Sequence, residues 1–142
     1  MKENKNAKAE NEKDGSRERH HLIRKFGYAF RGITEAISID NSFKYHFAAG
    51  IIAVIAGFVL RISEAEWIAV VIAITVVLIT EMFNTVCEIM MRIYTNEYHE
   101  LVKKLLDISA GAVLFASIAA LVVGIIIFGN NFHNLLDYFG TK

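Results

Sequence analysis

The sequence predicts an all-α integral membrane protein: an amphipathic surface helix followed by three membrane-spanning helices. Three observations carry this reading. Three long apolar segments are almost free of charge, the 142 residues include no proline, and 54% of the chain is hydrophobic. Basic residues are also unevenly placed, ten of the fifteen Lys and Arg falling in residues 1–44. The net charge of zero therefore conceals an N-terminal part with an excess of basic residues. The single cysteine, Cys87, excludes an internal disulfide framework.

Residues 1–19 mix Lys, Glu, Asn and Asp without a period and are expected to be a disordered polar tail. A secretory signal is not expected, because the first apolar run follows some forty polar or mixed residues. Over residues 20–38, His21, Arg24, Lys25, Tyr28, Arg31 and Glu35 alternate with Leu22, Ile23, Phe26, Ala29, Phe30, Ile33 and Ile37. That is a helical period with basic residues around one side, which suits a helix lying in a membrane interface. Such a helix can bind anionic lipid, cover a site, or simply orient the chain.

The three spans are expected at about residues 43–62, 67–91 and 106–128, followed by a short tail, 129–142. Each is near the ~20 residues that cross a hydrocarbon core of ~30 Å. A soluble bundle would show polar outer faces, and these segments show almost none. Arg24, Lys25, Arg31 and Lys44 precede the first span, and Arg92, Lys103 and Lys104 flank the second connection. The first connection, residues 62–66, is flanked only by Arg61, and the C-terminal tail holds only Lys142. The positive-inside rule then puts the N-terminus and the second connection in the cytoplasm, with the first connection and the C-terminus outside.

The second span carries an anomaly. Glu81, Asn84 and Glu88 differ by three, four and seven positions and so share one helix face. Counting from Trp67, taken as the anchor at the outer interface, Glu81 lies about 21 Å along the helix, within the inner leaflet. Glu88 follows about 10 Å further on, near cytoplasmic water. Ionisable groups at such depth are costly and usually functional. A carboxylate at this boundary can meet a lipid headgroup and a water-soluble cosubstrate together. Transport across the midplane is a poorer fit, because the acids sit near one interface and no broken helix or repeat is visible.

Several strings carry a family resemblance. They are Phe26-Gly27-Tyr28-Ala29-Phe30-Arg31-Gly32-Ile33, Asp40-x-x-x-Lys44-x-His46, Glu66-Trp67 and Glu81-x-x-Asn84-Thr85-x-x-Glu88. Two more follow, Glu97-Tyr98-His99-Glu100-Leu101 and Asp107-Ile108-x-Ala110-Gly111-Ala112-Val113-Leu114. In this order they resemble the bacterial membrane-integral diacylglycerol kinase family, which includes the undecaprenol kinases, over roughly residues 22–128. The Glu-x-x-Asn-[Ser/Thr]-x-x-Glu segment is the most specific of them.

The resemblance implies a surface helix, three spans and a homotrimer in the bacterial inner membrane. It implies phosphorylation of a membrane lipid hydroxyl by ATP at the cytoplasmic face, with Mg²⁺ as cofactor and no nucleic-acid partner. Diacylglycerol, yielding phosphatidic acid, is the expected acceptor, with undecaprenol the alternative. Glu81 matches the general base and also meets the substrate. Asn84 would hold the lipid or a phosphate, and Tyr28 would touch both lipid and nucleotide. Glu88 and Asp40 match the metal-binding carboxylates, which suits the preference of Mg²⁺ for hard oxygens. Glu88, Glu97, His99 and Asp107 match positions near the nucleotide. No Gly-rich Walker loop is present.

Read singly, several of these residues have plainer roles. Asp40 can be a helix N-cap, Asn84 interhelical glue, His99 a connection histidine, and Glu97 part of a solvated loop. The chain also departs from the family. Leu106 stands where a phosphate-binding lysine is usual, Arg92 where an aspartate is usual, and Asp40 where a glutamate is usual. Lys103, three residues before Leu106, and Arg92 are the cations expected to take over the γ-phosphate contact. If neither does, the alternative is a catalytically weakened or non-catalytic homologue.

Overall fold

The computed structural model describes residues 21, 24–94 and 99–140, with side chains as far as His133. The expected disordered tail, Leu22, Ile23, Glu97, Tyr98 and Lys142 lie outside the described residues. Among the described residues every regular element is an α-helix. The chain divides into two units, Met1–Ile39 and Asp40–Lys142.

In the first unit, helix α1 covers residues 24–39. Phe26, Phe30, Ile33 and Ile37 recur at three- and four-residue steps and form one stripe. Phe26 and Phe30 are 66% and 69% exposed, so this unit leaves aromatic surface uncovered. The opposite face carries Arg24, whose guanidinium donates to the Tyr28 hydroxyl at 3.3 Å.

The second unit contains α2 (Asn41–Leu60), α3 (Glu64–Tyr94) and α4 (Glu100–Gly140). All three are long and apolar enough to cross a membrane. At 1.5 Å per residue, α3 and α4 measure about 46 and 61 Å, well beyond a ~30 Å hydrocarbon core. Both helices therefore run past the apolar segments, and their ends show why. Helix α2 stops at Leu60 because Arg61 turns left-handed (φ 53°, ψ 48°). The Arg61 and Ile62 N–H groups then close back on the Phe58 and Gly57 carbonyls at 3.3 and 3.2 Å.

Helix α3 starts earlier than Trp67 because Ser63 and Glu66 form a capping box. The Glu66 carboxylate accepts from the Ser63 N–H and hydroxyl, both at 2.7 Å, and the Ser63 hydroxyl accepts from the Glu66 N–H at 3.4 Å. Helix α4 starts at Glu100 because its polar first turns are helical too. Lys104 pairs with Glu100 and Lys103 with Asp107, each at 2.7 Å and four residues apart.

Helix α3 packs chiefly on α4. Near the α2–α3 turn, Ile62, Val70 and Ile127 are buried, with Trp67 and Phe128 packed beside them. A Cβ on Gly57 would lie 2.9 Å from the Trp67 ring, so this close approach requires glycine. Elsewhere the helices keep large apolar side chains outward, such as Ile52 at 67% and Phe115 at 79% exposure. Such a surface is suited to hydrocarbon rather than water.

Candidate active site

On α3 the buried face runs through Val70, Val77, Glu81, Asn84 and Thr85. The apolar stripe of an ordinary packed helix thus turns polar just past the helix midpoint. Glu81 is only 1% exposed. Its Oε1 is buried with no hydrogen-bond partner. Almost all buried polar groups in folded proteins are paired, so an orphaned carboxylate oxygen calls for a functional explanation.

Around Glu81 the neighbouring polar groups are tied together. The Thr85 hydroxyl, one turn on, has the Glu81 carbonyl and Asp40 Oδ2 each at 3.0 Å, one proton between two acceptors. Asp40 is also the N-cap of α2, its Oδ1 accepting from the Ser42 N–H at 2.8 Å. Asp40 therefore caps α2 and also meets the Thr85 hydroxyl of α3. Asn84 donates from Nδ2 to Glu88 Oε1 at 3.3 Å. Its Oδ1 lies 2.7 Å from the Ser109 hydroxyl of α4. Arg92 approaches Glu88 Oε2 at 3.5 Å, with the guanidinium side chain 71% exposed and the carboxylate 39%.

The structure thus connects Asp40 to the Glu81 turn through Thr85, and joins Asn84, Glu88 and Arg92 in one chain of contacts. Two hydroxyls in this network carry no assignment from sequence, Thr85 and Ser109. Thr85 sits four residues after Glu81 on the same face, a signal that could have marked it. Ser109 is 6% exposed and lies among apolar residues, where spacing does not reveal which helix it meets.

The remaining predicted residues are more scattered. His99 caps α4: its Nδ1 accepts from the Leu101 N–H at 3.2 Å, and its carbonyl accepts from the Lys103 N–H at 3.0 Å. Lys103 and Asp107 pair with each other, their side chains 59% and 62% exposed. Tyr28 belongs to the first unit, and Glu97 lies outside the described residues.

Among the described residues no three His, Cys, Asp or Glu side chains converge. Mg²⁺ does not require such a cage; it commonly takes one or two carboxylates and completes its shell with phosphate and water. Glu88, partly exposed, and Asp40 supply hard oxygen donors of the right kind. Beyond Glu81, a cavity of about 620 Å³ opens between α2, α3 and α4. Val77, one turn from Glu81, lines it, as do the small residues Gly50, Ala53, Ala120 and Gly124.

Comparison with known proteins matches this architecture to a family. Residues 27–128 match the prokaryotic diacylglycerol kinase family. The chain is 31% identical to an undecaprenol kinase of Bacillus subtilis, over 82% of this chain and 94% of that protein. It is 32% identical to a diacylglycerol kinase of Synechocystis sp. over 73% of this chain and 60% of that protein. A diacylglycerol kinase of Escherichia coli strain K12 is 26% identical over 78% of this chain and 91% of that protein. A match running from the surface helix through all three apolar helices, with the buried Glu81–Asn84–Glu88 face inside it, means that the chain belongs to the prokaryotic diacylglycerol kinase family.

Proposed function

We propose that this chain is an ATP- and Mg²⁺-dependent lipid kinase that phosphorylates a membrane lipid alcohol at the cytoplasmic face, with diacylglycerol as the acceptor. The observation that carries the reading is Glu81, fully buried in a span with an unpartnered carboxylate oxygen. That oxygen is an acceptor without a donor, and a lipid hydroxyl provides one. Glu81 takes the hydroxyl proton as the lipid oxygen forms its bond to the γ-phosphorus and the bond to ADP breaks. Asn84 and Thr85 hold the flanking turn in place, and Asn84 is the hydrogen-bonding group for lipid or phosphate. Glu88 and Asp40 would hold Mg²⁺, which when bound neutralises charge on the phosphates.

The nucleotide is met by Glu88, Glu97, His99, Lys103 and Asp107. The family's usual phosphate-binding lysine is replaced by Leu106, and Arg92 and Lys103 are the cations available to stand in for it. Both are ion-paired four residues away, Arg92 with Glu88 at 3.5 Å and Lys103 with Asp107 at 2.7 Å, and the looser contact makes Arg92 the more available. The cavity starting one turn from Glu81 supports the acceptor's hydrocarbon lying along α3.

The basic N-terminal region supports a cytoplasmic N-terminus and an external C-terminus in the bacterial inner membrane. Homotrimeric assembly is part of the same reading, and the apolar outer surface leaves room for partner helices. Undecaprenol is the second acceptor to consider, because the Bacillus subtilis relative bears that name and aligns over 94% of its length.

The deciding experiment uses purified protein in mixed micelles with labelled ATP and Mg²⁺, offered diacylglycerol and undecaprenol side by side. Transfer to diacylglycerol is expected. Transfer to undecaprenol alone reassigns the acceptor, and no transfer to any lipid alcohol overturns the kinase reading.

A further inference from the structure

Ser109 and Asn84 meet across the α3–α4 contact, both buried, at 6% and 8% exposure. The Ser109 hydroxyl has one proton and two acceptors in reach: Asn84 Oδ1 at 2.7 Å and the Leu106 carbonyl at 3.0 Å. A serine within a helix commonly bonds a carbonyl one turn back, which taken alone would make Leu106 the partner. The Asn84 amide decides otherwise. An ionised carboxylate only accepts hydrogen bonds, so Asn84 must turn its NH₂ group toward Glu88. Its carbonyl oxygen then faces Ser109 and needs a donor, since a buried amide oxygen without one is costly. The hydroxyl proton is the donor in place. With the hydroxyl donating to Asn84, the amide is locked with its NH₂ toward the carboxylate and the α3 face.

We propose that Ser109 is a positioning residue that holds the Asn84 amide in place with its NH₂ toward Glu88. The proposal rests on the kinase reading for its consequence: an Asn84 held in one orientation presents donors, not an acceptor, to carboxylate and phosphate oxygens. Without the hydroxyl the buried amide oxygen loses its donor, and the side chain is no longer held where its NH₂ meets those acceptors. Ser109 touches neither substrate nor metal in this scheme and acts only through Asn84.

A double-mutant cycle on the full chain in mixed micelles tests this, using wild type, Ser109→Ala, Asn84→Ala and the combined variant. Ser109→Ala is expected to lower kcat about tenfold, with the KM for ATP changing less than about threefold, as for an interaction made mainly in the transition state. In the Asn84→Ala background the same change is expected to alter kcat by less than about twofold, since it acts through a group already removed. Ser109→Thr keeps the hydroxyl and is expected to restore most of the loss. An unchanged kcat in Ser109→Ala, or the same fold-loss in both backgrounds, overturns the proposal.

A second readout needs no turnover. In ¹⁵N-labelled protein the Asn84 side-chain NH₂ pair, assigned by its disappearance in Asn84→Ala, is expected to shift in both Ser109→Ala and Glu88→Gln. An unmoved pair in Ser109→Ala overturns the positioning role even if the chain phosphorylates lipid. A pair that moves in Ser109→Ala, together with a wild-type chain that phosphorylates nothing, upholds the positioning role and rejects the kinase reading.

Discussion

Glu66 and Glu81 lie on the same helix, and their surroundings could hardly differ more. At the start of α3, Glu66 accepts from the Ser63 N–H and hydroxyl on one oxygen and from Asn131 of α4, at 2.8 Å, on the other. Asn131 in turn also donates to the Ile127 carbonyl. Both Glu66 oxygens have partners inside the protein, and the result is a cap joined to a neighbouring helix. Further along, Glu81 is buried more deeply and keeps an oxygen with no partner. A satisfied carboxylate fastens helices together, whereas an unsatisfied one of equal charge waits for a ligand. The family's motif strings include both Glu66 and Glu81, and only the contacts separate their roles.

The sharpest way to break the contrast is Glu81→Gln. It keeps the shape and removes the base, so kcat is expected to fall by roughly 10²–10⁴. Its thermal midpoint should hold or rise, because an unpaired buried carboxylate has been removed. A large loss of midpoint with activity retained would give Glu81 the same structural role as Glu66. Next comes Gly57→Leu, beside the satisfied end. Overpacking against Trp67 is expected to cost about 1–3 kcal/mol in unfolding experiments, with turnover per folded molecule unchanged.

Arg92→Ala extends the comparison to the phosphate side. It is expected to raise the KM for ATP about tenfold, on the order of 1.4 kcal/mol, and Lys103→Ala to do less. If both variants retained wild-type kinetics, neither cation would be replacing the missing lysine at Leu106. The smallest effect is assigned to Ser63→Ala. Loss of this cap should lower stability by about 1 kcal/mol and leave lipid phosphorylation per folded molecule intact.

Much of the architecture was legible in the chain because its causes are local. A charge-free run long enough to cross hydrocarbon announces itself without reference to any other segment, and all three such runs are helices long and apolar enough to span. The shared face of Glu81, Asn84 and Glu88 follows from helical spacing alone. The Ser63-x-x-Glu66 spacing of a capping box is equally local, although residues 62–66 read from sequence only as the connection between two spans. Helix ends were less legible. Glu100–Asp107 mixes four charged residues with Leu and Val, so hydropathy starts the third span only at about residue 106, although ion pairs at four-residue spacing extend the helix back to Glu100.

The sequence by itself determined the helices, their membrane character and the line of acids along one face, since each depends on residues a few positions apart. Only the tertiary structure decided which polar groups find partners. Thr85 meets Asp40 forty-five positions away, Ser109 meets Asn84 at twenty-five, and Asn131 meets Glu66 at sixty-five. A hydroxyl or amide in an apolar helix has the same local sequence whether it faces lipid or a neighbour. Which it faces is fixed by how the helices pack, and that packing is what satisfies Glu66 and leaves Glu81 with an oxygen to spare.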